Sequence, residues 1–371
     1  MKALVTGGAG FIGSHIVDEL LAEGLEVRVL DRLDPQVHGE AQLPPGYLSP
    51  EAELRIGDVR DPDAVDRALE GIDIVFHEAA AVGVGQSMYE IDRYVSTNSM
   101  GAAVLLQGIV KRRERIQKIV VASSMSIYGE GAYRDMDGNV VSPPTRSIEQ
   151  LRLKDWELKD AHGRHLTPVP TPETKETRPA SVYAVTKRDH EDLFLVVGEA
   201  YGIPAVALRY FNTYGPRQAL SNPYTGLLSI VCSQINNGNR PLVFEDGLQT
   251  RDFVHVSDVA RANILAMKSA KTGSEVYNVG TGWPVTVLDV IGLLSEKMNF
   301  RERPEIVERY RAGDIRHCYA DISKIQRELG YQPRKTLETG VDELIPWIKS
   351  EESVDHIRSA VTDLERRVLI Y

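Results

Sequence analysis

The stretch "KALVTGGAGFIGSH" at residues 2–15 restricts the fold more than any other in the chain. "KALVT" reads as a buried strand and "SHIVDELLAEG" has the apolar period of a helix, so the glycines fall in the turn between them. Gly8, Gly10 and Gly13 meet the spacing GxGxxG, and Gly7 adds a further tight-turn position. Glycine here permits the turn, lets backbone N–H groups approach a pyrophosphate, and leaves the helix N-terminus to offer partial positive charge. Dinucleotide binding is the expectation. Asp31 ends the next strand, "EVRVLD", 18 residues beyond Gly13. A carboxylate there accepts hydrogen bonds from the adenosine ribose and repels a 2′-phosphate. That favours NAD over NADP, with the neighbouring Arg32 arguing the other way.

Short β-branched runs alternate with amphipathic stretches through the first half: "EVRVLD", "ELRIGD", "DAVDRALEG", "IDIVFHEAA". This rhythm predicts an α/β fold, a Rossmann-type doubly wound parallel sheet. Helices are predicted over 96–113 and 183–202, with strands at "KIVVASS" and "AVALRYFN". Pro and Gly punctuate the second half, as expected of a smaller substrate-binding lobe over the ligand-binding edge of the sheet. The expected division is a dinucleotide-binding domain over 1–210, rejoined by about 250–275, and a lobe over 211–249 and 276–350. Residues 131–180 are polar and proline-rich, an insertion with one short helix near 148–158 whose composition favours a surface decoration. Residues 351–371 read as a charged, peripheral helix. The formal net charge of -10 argues against nucleic acid as a partner. Cys232 and Cys318 lie far apart without a CxxC pairing, which supports neither a disulfide framework nor a cysteine metal site and fits a reducing cytoplasm. The acids Asp18 and Glu19 and the glycine spacing spoil a secretory-signal reading, and no window has the length and apolarity of a membrane span.

In "SVYAVTK", Tyr183 and Lys187 stand four apart on a predicted helix and so share one face. An ammonium beside a phenol favours the phenolate, which predicts a tyrosine general base with a lowered pKa.

With these residues in place the chain resembles the extended short-chain dehydrogenase/reductase superfamily, in its nucleotide-sugar epimerase/dehydratase branch. The likeness runs from Met1 to about Pro333 through "TGGAGFIGSH", "GDVRD", "FHEAA", "SSMSIYG", "SVYAVTK", "RYFNTYGPR", "RDFVHVSDVARA", "YNVGTG" and "RAGDIRHCYAD", in the family's order. It implies a cofactor site of Gly7, Gly10, Phe11, Ile12, Gly13, Asp31, Arg32, Asp58, Val59, Ala79, Ala80, Ala81, Asn98, Ser123, Tyr210 and Phe211, with Tyr183 and Lys187 shared with catalysis. Within that set Asp58 is implied to hold the adenine amine, and Asn98 to line the cofactor. The implied substrate contacts are Val84, Ser124, Ser126, Asn212, Arg251, Arg311, Asp314 and Cys318, the arginines on a diphosphate and Cys318 beside the sugar.

The loop "SSMSIYG" differs from that of the family's dehydratases, which carry an acid and a base to eliminate water. Met125 and Ser126 stand in those two places. What is left, Ser124 and Tyr183, suffices to move a proton while a hydride leaves and returns at one carbon. The resemblance therefore implies an NAD-dependent 4-epimerase acting through a transient 4-keto sugar, on a UDP-hexose or a dTDP-6-deoxyhexose such as dTDP-L-rhamnose. The alternatives are an oxidoreductase or dehydratase of the same family, or a non-catalytic NAD-binding regulator. Relatives also imply a homodimer through helices 96–113 and 183–201.

Overall fold

Strands β1 (Lys2–Thr6), β2 (Glu26–Asp31), β3 (Glu53–Ile56), β4 (Ile74–His77) and β5 (Lys118–Ser124) are the short apolar runs of the sequence, paired in parallel. With Ala205–Tyr210 and Glu275–Val279 they make a seven-stranded sheet in the order Glu275–Val279, Ala205–Tyr210, β5, β4, β1, β2, β3. This computed structural model describes residues 1–371 other than 41, 225, 312, 352 and 353. Every residue of β5 is buried, as a parallel strand covered by helices on both faces must be. Chain order reverses between β1 and β4, so the crevice beyond their carboxyl ends is where a sheet of this kind takes a ligand.

Two close approaches fix the helices that flank this crevice. Helix α1 (Phe11–Ala22) starts so near the turn that a Cβ on Gly13 would lie 2.3 Å from the Gly7 carbonyl oxygen. The helix Val182–Tyr201 is capped by the Ser181 hydroxyl at one end and by Gly202, at φ 69°, at the other. Its Gly198 lies where a Cβ would come within 2.7 Å of the Ala205 methyl, so this helix rests directly on the sheet.

The second lobe is built on the strand Thr250–His255, which pairs with Asn212–Tyr214, Pro284–Thr286 and His317–Cys318. Its own apolar cluster joins the helices Leu227–Asn236, Val287–Lys297 and Leu337–Ser350. The expected return to the main sheet at 250–275 therefore shifts. Thr250–His255 belongs to the lobe, and the chain rejoins the sheet through the helix Val256–Lys268 and the strand Glu275–Val279.

Residues 131–180 form a three-stranded antiparallel sheet of Ala132–Arg134, Val140–Val141 and Thr167–Val169, with one short helix, Ile148–Arg152. The insertion is anchored rather than decorative. The Arg316 guanidinium, with no exposed surface, bonds to Glu157 of the insertion and to Glu245 and Asp246 of the lobe, and Arg146 of the insertion bonds to Glu245. Charges this deeply buried persist only when fully paired, and this network is paired. The expected peripheral helix also differs. Ile357, Ala360 and Leu364 of the helix Ile357–Arg366 are buried, packed toward Phe244 and Ile370.

Candidate active site

A cavity of about 610 Å³ runs along the crevice from the glycine turn to Arg251 and Arg311 in the lobe. Of the residues expected at the site, all line it except Asn98 and Cys318.

At the glycine end, Gly7 adopts φ 70°, and a Cβ there would meet the Ala79 nitrogen at 2.7 Å. Gly10 caps α1 without a side chain. The turn is thus bare backbone at a helix N-terminus, which fits a pyrophosphate. Asp31 accepts hydrogen bonds from the Ala9 and Leu33 amides, at 3.0 and 2.9 Å, one on each oxygen. That bracing presents the carboxylate to the cavity and leaves lone pairs for ribose hydroxyls. Arg32 is drawn into ion pairs with Asp34 and Asp58. Asp58 is half-buried, yet Arg60, donating from its backbone and guanidinium, outweighs that burial and holds the carboxyl down at about 2.

At the centre, β5 ends in Ser123 and Ser124, opposite Arg209 and Tyr210 of the neighbouring strand. The chain then makes a turn, Met125–Tyr128, closed by Gly129 at φ 65°, where a Cβ would lie 2.4 Å from the Arg178 carbonyl oxygen. Met125 packs into the core, and the Ser126 hydroxyl donates to the Ser124 hydroxyl at 2.9 Å. Behind the turn, Glu191 accepts from Ser123 at 2.8 Å and from Arg209 at 2.9 and 2.5 Å, and Arg209 reaches the Tyr128 hydroxyl at 2.7 Å. Glu130, the loop's one acid, faces away and takes the amides of Arg316 and His317.

Tyr183 sits in the first turn of its helix, its amide donating to the Ser87 hydroxyl at 3.0 Å, and Lys187 follows one turn later, with 3% of its surface exposed. The phenol is not lowered as the Tyr–Lys spacing alone predicts. Burial pushes it up to about 12, the Ser124 hydroxyl opposes the rise, and the negative charge of Glu78 adds to it. Burial likewise lowers Lys187, and Glu78 works against that fall.

Glu78 is the residue the sequence reading passed over. It stands just beyond β4, lines the cavity, and accepts from the Tyr210 hydroxyl at 3.0 Å. Burial raises its carboxyl, with Lys187 and Tyr210 pulling the other way. The signal was in "FHEAA": His77 is buried against His190 and Phe194, so strand alternation turns the next side chain elsewhere.

Two expectations need correction. Asn98 lies in a π turn, Val95–Met100, and spends its amide on the Ala81 backbone at 2.7 and 3.1 Å and on the Thr186 hydroxyl at 2.9 Å. It pins the Ala79–Ala81 loop to the helix of Tyr183 instead of lining the cavity. Cys318 is 1% exposed in the core, 3.8 Å from the Thr171 hydroxyl of the insertion, and has no surface toward a ligand.

In the lobe, Arg251 donates to the carbonyls of Thr250, Ile315 and Arg316, while Arg311 lies over the Phe244 ring and pairs with Asp314 at 2.8 Å. Asn212 lines the cavity, and its side-chain oxygen is buried without a partner among the described residues.

Residues 3–149 match the NAD dependent epimerase/dehydratase family, and residues 162–344 match the GDP-mannose 4,6 dehydratase model. The chain is 36% identical to the dTDP-L-rhamnose 4-epimerase of Burkholderia thailandensis, over 94% of this chain and 95% of that protein. Its fold is similar to the UDP-glucose 4-epimerase of Thermotoga maritima with UDP-glucose, at TM-score 0.77 and 30% identity over 94% of this chain and 99% of that one. The UDP-glucuronic acid 4-epimerase of Bacillus cereus, in complex with UDP-glucuronic acid and NAD, also superposes at TM-score 0.77, with 28% identity over 94% and 99% of the two chains. The chain belongs to the NAD-dependent epimerase/dehydratase family, in the nucleotide-sugar epimerase branch of the extended short-chain dehydrogenase/reductases, and is an isomerase that works with NAD.

Proposed function

We propose that this isomerase inverts carbon 4 of a nucleotide-diphosphate sugar through a 4-keto intermediate, with a dTDP-6-deoxyhexose as the favoured substrate. The observation that carries the reading is the meeting of Ser124, Tyr183 and Lys187 in one cavity beside a loop that offers Met125 and Ser126 where an elimination needs an acid and a base. Tyr183 takes the proton of the 4-hydroxyl, directly or through Ser124, and returns it when the carbonyl is reduced. Lys187 keeps positive charge next to the phenol. The glycine turn, Asp31 and Asp58 hold NAD, which supplies the hydride acceptor and donor at that carbon. Asn212, Arg251 and Arg311 hold the diphosphate, for which guanidinium groups are suited, and Asp314 the nucleoside. Anchoring at that distance lets the keto sugar turn over without leaving.

The relative that acts on dTDP-L-rhamnose supports the choice of sugar. The test is incubation with a panel of UDP- and dTDP-sugars and NMR of the products. Inversion at carbon 4 without free NADH is expected; stoichiometric NADH, or loss of water from the sugar, overturns the reading.

The protein works as a homodimer in this reading. Met100 is 57% exposed, and Val185 and Val196 of the adjoining helix are 51% and 65% exposed, which suits helix packing between subunits. Light scattering at micromolar concentration that gives a monomer overturns it.

A further inference from the structure

The substrate end of the cavity has a wall that the family motifs do not supply. Ile357, Ala360, Val361 and Leu364 of the helix Ile357–Arg366, and Leu369 after it, line the cavity, and every one of them is apolar. Leu364 brings its methyls to 3.5 and 3.6 Å from the point where a Cβ on Gly85 would stand, next to Val84. On its other side it packs with Phe244, the ring beneath Arg311. The wall therefore lies between the neighbour of Val84, an implied substrate contact, and the arginine proposed to hold the diphosphate.

The wall is also fixed to the site it borders. Ile370 bridges to Arg311 backbone to backbone, Tyr310 and Tyr371 exchange amide hydrogen bonds at 3.1 and 3.0 Å, and their rings stack at 5.2 Å. Arg367 lies 4.1 Å over the Tyr89 ring, which ties the segment to the loop that follows β4 as well. An apolar surface held this firmly gains from burying a methyl and gives a hydroxyl nothing to bond, so the hydroxyl enters at a loss.

We propose that Val361 and Leu364 determine specificity by receiving a methyl group of the substrate, either the 6-methyl of a 6-deoxy sugar or the 5-methyl of thymine. The proposal rests on the reading that this cavity takes a nucleotide sugar. One methyl in such a pocket is worth roughly tenfold or more in discrimination.

The test uses four ligands, the dTDP and UDP forms of a 6-deoxyhexose and of its 6-hydroxy counterpart, with calorimetric binding and turnover measured in parallel on the parent, Val361→Thr and Leu364→Asn. Val361→Thr keeps shape and is the variant that remains folded if a polar group at the more buried Leu364 loosens the segment. The parent is expected to bind methyl-bearing ligands about tenfold more tightly, with Val361→Thr erasing most of that preference. A preference that follows the sugar assigns the 6-methyl; one that follows the base assigns thymine. Equal affinity of the parent for all four, or equal losses across all four in Val361→Thr, overturns the proposal. Binding preference without inversion at carbon 4 counts against the reaction alone and leaves the wall standing.

Discussion

Replacing Glu191 with Gln should separate the brace behind the Met125–Tyr128 turn from the turn itself. The carboxylate takes Arg209 Nε at 2.9 Å, Arg209 Nη2 at 2.5 Å and Ser123 Oγ at 2.8 Å. Arg209, 6% exposed, commits its other N–H groups to the Tyr128 hydroxyl and the Glu173 carbonyl. The amide leaves that guanidinium buried without a counter-charge, a loss of about 3–5 kcal/mol. Unfolding entropy of about 2.1 cal/mol/K per residue across 371 residues gives roughly 0.8 kcal/mol per degree, so Tm should fall by about 4–6 °C. Calorimetry reads that shift. Turnover should fall as well, because Ser123 is the neighbour of Ser124 and loses its partner. The double variant Glu191→Leu with Arg209→Met should melt closer to the parent than Glu191→Gln does, since no charge stays buried. A single variant that melts with the parent, or a double variant at least as damaged as the single, refutes the reasoning.

Tyr183→Phe should lower turnover by about 10²–10⁴ while NAD still binds, and near-normal turnover would remove the proposed base. Asp31→Ala should weaken NAD binding and narrow the discrimination against NADP in a fluorescence titration; a parent that binds both equally contradicts the ribose assignment. Burial raises Glu78 above its unfolded value, so its ionisation opposes folding: the stability it contributes is fully present below the unfolded carboxyl value and is lost as pH rises toward neutrality. Glu78→Gln should flatten that decline and let Lys187 lose its proton at lower pH, because the carboxylate that holds it up is gone. NMR titration of the lysine shows the second effect, and an unmoved Lys187 refutes the pairing.

The parts of the fold legible in sequence were those set by local period. The sheet strands, the glycine turn and the spacing of Tyr183 and Lys187 depend on alternation, on 3.6-residue periodicity and on the one residue type a tight turn tolerates. Asn98 stands at a cofactor position implied by the family's order, but within the π turn Val95–Met100 its amide is taken by the Ala81 backbone and the Thr186 hydroxyl, contacts that motif order does not show. Cys318 was misplaced because the insertion supplies Thr171 to cover it, a contact across 147 residues. The insertion and the Ile357–Arg366 helix looked like surface for a related reason: their charged residues pair with distant ones, Glu157 with Arg316 and Arg309 with Glu365, and composition cannot show pairing.

Glu78 shows where a stricter reading of the same rules leads. The loop after β5 turns its one acid away from the cavity, but the cavity is bounded by the carboxyl ends of several strands, and alternation beyond His77 delivers an acid from the end of β4. That acid changes the account of the base. Burial and the negative charge of Glu78 push Tyr183 up to about 12, and the Ser124 hydroxyl opposes them. Positive charge also offsets a nearby carboxylate, and Glu78 itself favours the protonated form of Lys187. The Tyr–Lys spacing alone therefore does not describe the base: the charge of Glu78 acts on both members of the pair, raising the phenol and the ammonium together.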